Sequence, residues 1–292
     1  MAKVFVFPGQ GAQSVGMGRE LYESSAAARA VFDEVDDALN QKLSDIIFNG
    51  PMDELTLTSN VQPAIMATSI AMLRAAGAVP PEYVAGHSLG EYTALCAAGA
   101  ISLRDTAKLL RIRGNAMQNA VPVGMGLTAV ILGLDIDVVR DICKSTDCDV
   151  ANDNCPGQVV ISGARDVVEN TMEKLKAAGA KRAMPLALSV PVHCRMQAPA
   201  ADAMREALES IEIKTPNAKF ISNKTADVMM SPDDIREELI YQMTHGVHWR
   251  ESVLKMHELG IDEMIEIGPG NVLTGLAGRI CPEINAHKLE VA

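Results

Sequence analysis

Residues 83–92 (YVAGHSLGEY) combine a short apolar strand, a sharp turn and the first residues of a helix rich in small side chains. Within them, Gly86-His87-Ser88-Leu89-Gly90 fits the pattern Gly-x-Ser-x-Gly. A serine on a strand-to-helix turn needs a glycine on each side, because a larger side chain would collide with the backbone there. The stretch therefore predicts an α/β fold with Ser88 as a candidate nucleophile. A tight turn with a structural serine is the alternative for so short a pattern.

Strand and helix patterns alternate along much of the chain, which is typical of α/β architecture. Strand patterns occur at residues 3–7, 83–86 and 264–267, and helical patterns at residues 64–76, 90–98, 103–119 and 249–259. The first strand leads into the glycine-rich turn Gly9-Gln10-Gly11. This turn lacks the lysine of a Walker phosphate loop and a complete Gly-x-Gly-x-x-Gly. We interpret it as a loop that supplies a backbone N–H group.

Residues 122–195 show a separate alternation of strand and helix patterns. Strand patterns at 127–134, 149–151, 158–162 and 183–190 alternate with helical patterns at 137–144 and 166–178, and residues 153–157 form a predicted turn. The order βαββαβ is that of the ferredoxin-like unit. We therefore expect a ferredoxin-like small subdomain here, inserted into a core made of residues 1–121 and 196–292.

Composition excludes several classes of function. The formal net charge of −11, without a basic stripe, argues against binding to nucleic acid. The best membrane-span candidate, residues 64–79, contains Arg74 and is too short. No secretory leader is recognisable, and the six cysteines show neither Cys-x-x-Cys nor other zinc-ligand spacing. We therefore expect a cytoplasmic protein with free thiols, without a metal site and without membrane contact.

A serine nucleophile needs a base at neutral pH, and the chain has six histidines. His87 adjoins the serine, so the turn should point its ring elsewhere, and His257 falls on the solvent side of a predicted helix. His193 follows a predicted strand and Pro191, and α/β sheets place active-site groups just beyond their strand ends. His193 is therefore the candidate base. A histidine hydrogen-bonded only to its own loop is the alternative.

Arg113 is the most informative cation. On its predicted helix, the side chains three and four positions away are apolar, namely Leu109, Leu110, Ala116 and Met117. A guanidinium in a buried stripe is unfavourable without a partner. It therefore either pairs with an internal carboxylate or binds the carboxylate of a ligand, and spacing alone does not separate the two.

Six segments, in register along the whole chain, together resemble one family. The segments are residues 7–11 (FPGQG), 86–92 (GHSLGEY), 113–118 (RGNAMQ), 156–163 (PGQVVISG), 190–194 (VPVHC) and 266–270 (EIGPG). They are similar to segments of the malonyl-CoA:acyl carrier protein transacylases of fatty acid synthesis. The resemblance implies an α/β-hydrolase-like core with an inserted ferredoxin-like subdomain and an active site in the cleft between them.

The resemblance also implies an activity and its substrates. A malonyl group would pass from malonyl-CoA to Ser88, and from there to the phosphopantetheine thiol of acyl carrier protein, by ping-pong transfer. No metal or redox cofactor is implied. The implied partners are the coenzyme A thioester and, transiently, the carrier protein, and we expect a monomer. Lys181 with Arg182, and Arg279 with Lys288, are candidate basic patches for docking the acidic carrier.

Site roles carry over residue by residue. Ser88 would be the nucleophile and His193 its base, with the backbone N–H groups of Gln10 and Leu89 as the oxyanion hole. Arg113 would bind the malonyl carboxylate. The family works as a Ser–His dyad in which a main-chain carbonyl orients the imidazole, and the resemblance assigns that carbonyl to His248.

Two other functions remain open on the sequence. The first is a serine thioesterase or esterase of the same fold. Such an enzyme would need a carboxylate as the third member of a catalytic triad, located between the serine and the histidine along the chain. The second is a non-catalytic subunit that keeps the fold and docks carrier proteins. The presence of Ser88, His193 and Arg113 argues against this second function.

Overall fold

The computed structural model describes residues 2–188 and 190–291. Its strands are β1 (Ala2–Phe7), β2 (Tyr83–Gly86), β3 (Gly126–Leu132), β4 (Asp149–Cys155), β5 (Gln158–Ala164), β6 (Arg182–Pro185), β7 (Lys219–Ile221), β8 (Val228–Met229), β9 (Ile261–Glu266) and β10 (Asn285–Lys288). They form two sheets, one of six strands and one of four. The predicted α/β class is confirmed.

Helices connect and cover these strands. They are α1 (Arg19–Ser24), α2 (Ala26–Leu39), α3 (Leu43–Asn49), α4 (Met52–Thr56), α5 (Thr58–Ala75), α6 (Gly90–Ala97), α7 (Leu103–Ala120), α8 (Ile136–Thr146), α9 (Arg165–Ala177), α10 (Ala198–Glu209), α11 (Pro232–Tyr241), α12 (Trp249–Glu258) and α13 (Val272–Ile280), with a 3-10 turn at Arg195–Gln197. In the part of the chain that the structure describes, none of these helices has the length and apolarity needed to cross a bilayer.

The six-stranded sheet has the order β10-β9-β1-β2-β7-β8. All its pairs are parallel except β7 with β8. Because β1 and β2 lie side by side and run parallel, their carboxyl ends meet at one edge of the sheet. The glycine-rich turn after β1 and the turn that carries Ser88 after β2 therefore lie next to each other, and the N–H of His87 donates to the carbonyl of Phe7 at 3.0 Å.

The four-stranded sheet contains β3 to β6 in the order β4-β5-β3-β6, with every pair antiparallel. Along the chain its elements run β3, α8, β4, β5, α9, β6, which is the predicted order βαββαβ. The helices α8 and α9 pack on this sheet and on each other. A parallel bridge between Asn152 on β4 and Val247 joins the small sheet to the larger part of the molecule.

Three predicted elements differ from the structure. The predicted turn at residues 153–157 is too long, because β4 continues to Cys155 and leaves only residues 156 and 157 to turn. The predicted strand at 183–190 ends early, as β6 at Pro185. The N–H of Leu186 still donates to the carbonyl of Thr128 on β3 at 2.9 Å, and Leu186 and Leu188 line a cavity. Ser189, within that predicted strand, lies outside the described residues.

The third difference is α5, which begins at Thr58, earlier than the predicted helix at residues 64–76. Its first turns contain Asn60, Gln62 and Pro63, a composition typical of a loop, yet all three side chains are buried. Burial of a polar side chain requires hydrogen-bond partners, and the partner of Gln62 lies on α7. Tertiary packing has here outweighed local propensity.

Candidate active site

The turn that follows β2 holds Ser88 in a left-handed backbone conformation, with φ of 56°. The flanking glycines allow this geometry. A Cβ atom on Gly86 would lie 1.9 Å from the carbonyl carbon of Gly90, and one on Gly90 would lie 2.2 Å from the carbonyl oxygen of Phe7. Both distances are far below van der Waals contact, so the predicted need for glycine on each side of the serine is confirmed.

His193 lies beside the serine although 105 residues separate the two in sequence. Its Nε2 atom is 2.7 Å from Ser88 Oγ, and its Nδ1 atom is 2.8 Å from the backbone carbonyl oxygen of Gln242. A carbonyl oxygen can only accept, so Nδ1 carries the proton and the lone pair of Nε2 faces the serine hydroxyl. This arrangement is able to take the hydroxyl proton.

The orienting carbonyl belongs to Gln242 and not to His248, so the sequence assignment of His248 is wrong. Gln242 caps the carboxyl end of α11, where carbonyl groups lack intrahelical partners. His248 is instead the N-cap residue of α12. Its carbonyl accepts hydrogen bonds from the N–H and Oγ of Ser252 at 2.9 and 3.0 Å. The His248 ring binds the carboxylate of Glu251.

Burial lowers the pKa of His193 to about 3, with a further lowering by the nearby charge of Arg113. The hydrogen bond to the Gln242 carbonyl acts in the opposite direction but is the weaker effect. A lowered pKa keeps the imidazole neutral, which is the form that can act as a base. His193 therefore has both the geometry and the protonation state that a general base requires.

Arg113 is 1% exposed and points from α7 toward the serine. Its Nη2 atom donates to Ser88 Oγ at 3.2 Å and to Gln242 Oε1 at 2.7 Å, and its Nη1 atom donates to Gln62 Oε1 at 2.8 Å. Over residues 2–188 and 190–291, no carboxylate forms an ion pair with this guanidinium, and its Nε–H has no acceptor. The described chain therefore contains no direct ion pair between Arg113 and an internal carboxylate, and the buried Glu91 acts on the guanidinium only across the Gln242 amide.

A cavity of about 160 Å³ opens in front of Ser88. Besides Ser88, the sequence-predicted residues in its lining are Gln10, Leu89, Arg113 and His193. The backbone N–H groups of Gln10 and Leu89 donate to no acceptor within the described residues. Unpaired N–H groups beside a nucleophile are the elements of an oxyanion hole. The structure thus gathers the predicted site residues in one place, with His248 outside the lining.

His87 points away from the serine hydroxyl, as predicted. Its Nε2 atom lies 2.9 Å from Asn154 Oδ1 and 3.2 Å from Asn152 Nδ2, and both asparagines belong to β4 of the small sheet. Desolvation lowers the pKa of the His87 imidazole. The ring therefore joins the serine turn to the small sheet and is not placed to act on Ser88.

Besides Gln62, three buried polar residues at the site were not predicted from the sequence. Asn223 accepts from the N–H of Ser88 at 2.8 Å and donates to the carbonyl of Gly86 at 2.6 Å. Gln242 and Glu91 lie in the same network. Asn223 and Gln242 belong to no local motif. Glu91 lies within the segment GHSLGEY, and a charged residue at the start of a helix of small residues is a signal that the sequence does offer.

Comparison with known proteins identifies the family of the chain. Residues 4–281 match the acyl transferase domain family. A malonyl CoA-acyl carrier protein transacylase from Bacillus subtilis (strain 168) is 47% identical over 288 residues, covering 96% of this chain and 91% of that protein. The protein of the same name from Escherichia coli (strain K12) is 40% identical over 292 residues, covering 98% and 94%. The chain belongs to the malonyl CoA-acyl carrier protein transacylase family. It is an acyltransferase.

Solved structures of transacylases share the whole fold. The acyl-carrier-protein-S-malonyltransferase from Bartonella henselae is 49% identical, with a TM-score of 0.97 over 100% of this chain and 96% of that chain. A malonyl-transacylase solved in complex with the acyl-carrier protein of a type II PKS is 40% identical, with a TM-score of 0.96 over 100% and 97%. The transacylase architecture thus extends over the entire described chain.

Proposed function

We propose that this transacylase transfers a malonyl group from malonyl-CoA to the phosphopantetheine thiol of acyl carrier protein, through a malonyl-Ser88 intermediate. The observation that carries the proposal is the position of one oxygen atom. Ser88 Oγ lies 2.7 Å from a neutral imidazole nitrogen and 3.2 Å from the buried guanidinium of Arg113. A base for the nucleophile and a cation for an acidic acyl group thus meet at one hydroxyl. The names of the relatives support the same substrates.

In the first half-reaction, His193 Nε2 takes the Ser88 proton as the hydroxyl oxygen attacks the malonyl thioester carbon. The tetrahedral oxyanion accepts hydrogen bonds from the N–H groups of Gln10 and Leu89. Collapse of the intermediate breaks the carbon–sulfur bond, and the imidazolium returns its proton to the coenzyme A thiolate. The Gln242 carbonyl stabilises the imidazolium because it accepts from Nδ1 at 2.8 Å.

The second half-reaction reverses these steps with another thiol. The phosphopantetheine thiol of the carrier enters, His193 removes its proton, and the thiolate attacks the malonyl-serine ester. Ser88 leaves and recovers its proton from His193. These steps use only side-chain and backbone groups of this chain, so the resemblance-based expectation of a Ser–His dyad without a metal or redox cofactor stays part of the proposal.

The proposed domain division follows the two sheets. We assign residues 122–195 to a ferredoxin-like subdomain and residues 1–121 and 196–292 to an α/β-hydrolase-like core. The strand order β4-β5-β3-β6 and a separate apolar cluster, whose buried members all fall between residues 127 and 183, support the division. The cavity takes its lining from both parts, with Ser88 from the core and Asn154 from the small subdomain.

The carrier-docking patches also remain proposals. Lys181, Arg182, Arg279 and Lys288 are all exposed. Arg279 is the better placed, because it donates to Gln158 Oε1 at 2.6 Å and Gln158 lines the cavity. A basic residue there could attract an acidic carrier to the mouth of the site. We propose a monomer that binds the carrier transiently.

One labelling experiment tests the proposed function. The wild-type enzyme is incubated with malonyl-CoA labelled in the malonyl group, and protein-bound label is measured before and after addition of water or of phosphopantetheinylated carrier. Label on Ser88 that moves to the carrier with little hydrolysis is the expected result. Release of free malonate without carrier would indicate a thioesterase, and absence of protein-bound label would indicate a docking subunit. The Ser88→Ala variant, which lacks the acceptor oxygen, is the control.

A further inference from the structure

A buried carboxylate lies directly beneath the serine turn. Glu91, in the first turn of α6, is fully buried. Its Oε1 atom accepts from the N–H of Asn223 at 2.6 Å, and its Oε2 atom accepts from Nε2 of Gln242. Both oxygens therefore face N–H donors. Nothing in the proposed chemistry uses this group. A buried carboxylate is unfavourable unless hydrogen bonds or an opposite charge compensate it.

The two donors hold the serine turn from both sides. The side chain of Asn223 accepts from the N–H of Ser88 at 2.8 Å. The Nε2 atom of Gln242 donates to the carbonyl of Ser88 at 3.0 Å. Glu91 thus closes a ring of hydrogen bonds in which the backbone of Ser88 is fixed at its N–H and at its carbonyl.

Gln242 connects this ring to the other two reactive groups. Its Oε1 atom accepts from Arg113 at 2.7 Å, and its backbone carbonyl accepts from His193 at 2.8 Å. Arginine only donates, so Oε1 of the amide has to face Arg113 and Nε2 has to face Glu91. Glu91 must then accept at this position, and a protonated oxygen there would break the pattern.

A second buried carboxyl group accompanies the first. Glu238 on α11 is 1% exposed, and after burial itself the charge of Glu238 is the next cause that raises the pKa of Glu91, so the two carboxyl groups are neighbours. Its Oε1 atom accepts from the N–H of Lys224 at 3.0 Å, whereas its Oε2 atom accepts no hydrogen bond within the described residues. Burial raises the pKa of both carboxyl groups. The charges that face the pair are those of Arg113 and Lys224.

Two neighbouring carboxyl groups buried away from water do not both ionise, so we infer that the pair holds one proton. Both Glu91 oxygens already accept N–H groups, whereas Glu238 Oε2 has none. The proton therefore belongs on Glu238 Oε2, from which it donates to Glu91. In this state Glu238 donates through one oxygen and accepts through the other.

We propose that Glu91 is a positioning residue, kept anionic by a proton on Glu238, that fixes the Gln242 amide and through it the relative placement of Ser88 and Arg113. The proposal rests on the proposed function, because it assigns a task to groups that surround the dyad. Labelling of the wild-type enzyme and of Ser88→Ala tests that function first and independently of Glu91.

Two isosteric variants give opposite expectations. In Glu91→Gln an amide NH₂ replaces one acceptor and faces an N–H donor, so the Gln242 amide turns and Arg113 loses its contact with the Gln242 oxygen. Glu238→Gln reproduces the assigned pattern, because a glutamine amide donates through its Nε2 hydrogens and accepts through Oε1. We expect Glu91→Gln to lower kcat/KM for malonyl-CoA loading about 30-fold and Glu238→Gln to lower it at least ten times less.

A purely structural role would lower the amount of active enzyme without changing selectivity. Loading rates are therefore normalised to the active serine titrated in a burst, and the malonyl-to-acetyl preference is measured for each variant. We expect the preference to fall about tenfold in Glu91→Gln, because Arg113 is misplaced. An unchanged preference in Glu91→Gln, or equal losses in the two variants, would overturn the proposal.

Infrared spectroscopy of the wild-type enzyme tests the shared proton without depending on how a variant folds. At about pH 8, exposed carboxyl groups are ionised. The wild-type spectrum should nevertheless contain the carbonyl band of a protonated carboxylic acid, and this band should be missing from Glu238→Gln. Absence of the band from the wild-type spectrum would show that the pair holds no proton and would overturn the proposal.

Discussion

The Nδ1 atom of His193 lies 2.8 Å from the backbone carbonyl oxygen of Gln242, at the carboxyl end of α11. A helix end offers carbonyl groups without intrahelical partners and carries a partial negative charge. The imidazole is therefore oriented, and its protonated form stabilised, by a group that no side-chain substitution removes. A hydrolase with a catalytic triad would need a carboxylate beside His193 Nδ1, and the structure has a backbone carbonyl there.

The first prediction concerns the dyad. Ser88→Ala should abolish formation of the acyl-enzyme, and His193→Ala should slow it by about a thousandfold, because a serine hydroxyl without a base is a poor nucleophile. The measurement is the pre-steady-state burst of coenzyme A released from malonyl-CoA.

His248→Ala is the matched control for this experiment. Its ring contacts Glu251, and its carbonyl accepts the first hydrogen bond of α12. Neither group touches Ser88 or His193, so the burst rate should stay within about threefold of wild type. A normal burst in His193→Ala would contradict the assignment. The serine proton would then have to be taken by a group other than His193.

The second prediction concerns pH. His193 acts as a base only when neutral, and burial lowers its pKa to about 3 from an ordinary value of 6.5. As the pH falls, loading should therefore persist through pH 6.5 and decline only as the pH approaches the lowered pKa. The check is kcat/KM for malonyl-CoA between about pH 4 and 8, at pH values where circular dichroism shows folded enzyme. A fall in kcat/KM centred near 6.5 would mean that His193 titrates as an exposed histidine.

The third prediction applies the same shift to stability. The pKa of His193 is lowered by folding, so the unfolded chain binds a proton first as the pH falls. The free energy of unfolding should therefore decrease from pH 6.5 downward, toward the lowered pKa. His193→Gln cannot take up this proton, so its stability should depend less on pH over the same range. Urea titrations of both proteins test this, and equal slopes would contradict it.

Local rules were enough to predict part of the site. Gly86 is required by a contact with Gly90 within the same turn, and the strand pattern before it is visible in the sequence. Gly90 is required by the carbonyl of Phe7 on the neighbouring strand, a contact that the Gly-x-Ser-x-Gly pattern stands for but does not itself show. The order of strands and helices around the four-stranded sheet was also predictable, because each strand and helix has its own periodicity. The predicted ends of strands were less accurate where apolar side chains such as that of Leu186 line the cavity beyond the end of the strand.

The long-range polar network was not predictable in the same way. Asn223 lies 135 residues from Ser88 in sequence and Gln242 lies 129 residues from Arg113, and no periodicity connects such pairs. The assignment of His248 was wrong for this reason, since the choice of one backbone carbonyl depends on where α11 ends. A carbonyl group is present at every residue, so its role leaves no mark in the sequence.

The fourth prediction concerns carrier docking. Arg279→Glu should raise KM for carrier protein about tenfold and leave malonyl-CoA loading unchanged, because charges at the rim mainly affect encounter. Lys181→Glu with Arg182→Glu tests the second patch in the same assay. Lys214→Glu, an exposed lysine outside the cavity lining, is the control. Loss of loading in Arg279→Glu would indicate that the residue binds coenzyme A or supports the turn at Pro156, to which it also donates.

The last prediction concerns acyl selectivity. Arg113 donates to the neutral oxygens of Gln62, Gln242 and Ser88, and in the described chain no carboxylate pairs with it. A malonyl carboxylate would supply a directly bound anion, and a guanidinium can bind both of its oxygens. Arg113→Ala should therefore lower kcat/KM for malonyl-CoA by about two to four decades, since the substrate's carboxylate loses its partner in a desolvated cavity.

Acetyl-CoA provides the internal control for Arg113, because it has no carboxylate. Its loading should be unharmed or improved in Arg113→Ala, so the preference between the two substrates should reverse. Arg113→Lys should restore malonyl loading only in part, since an ammonium group cannot hold Gln62 and Gln242 at once while pairing with two carboxylate oxygens. Parallel losses on both substrates, together with a lower melting temperature, would show that the guanidinium is needed only to hold Gln62 and Gln242 in the fold. The selectivity for an acidic acyl group would then have to come from another part of the cavity.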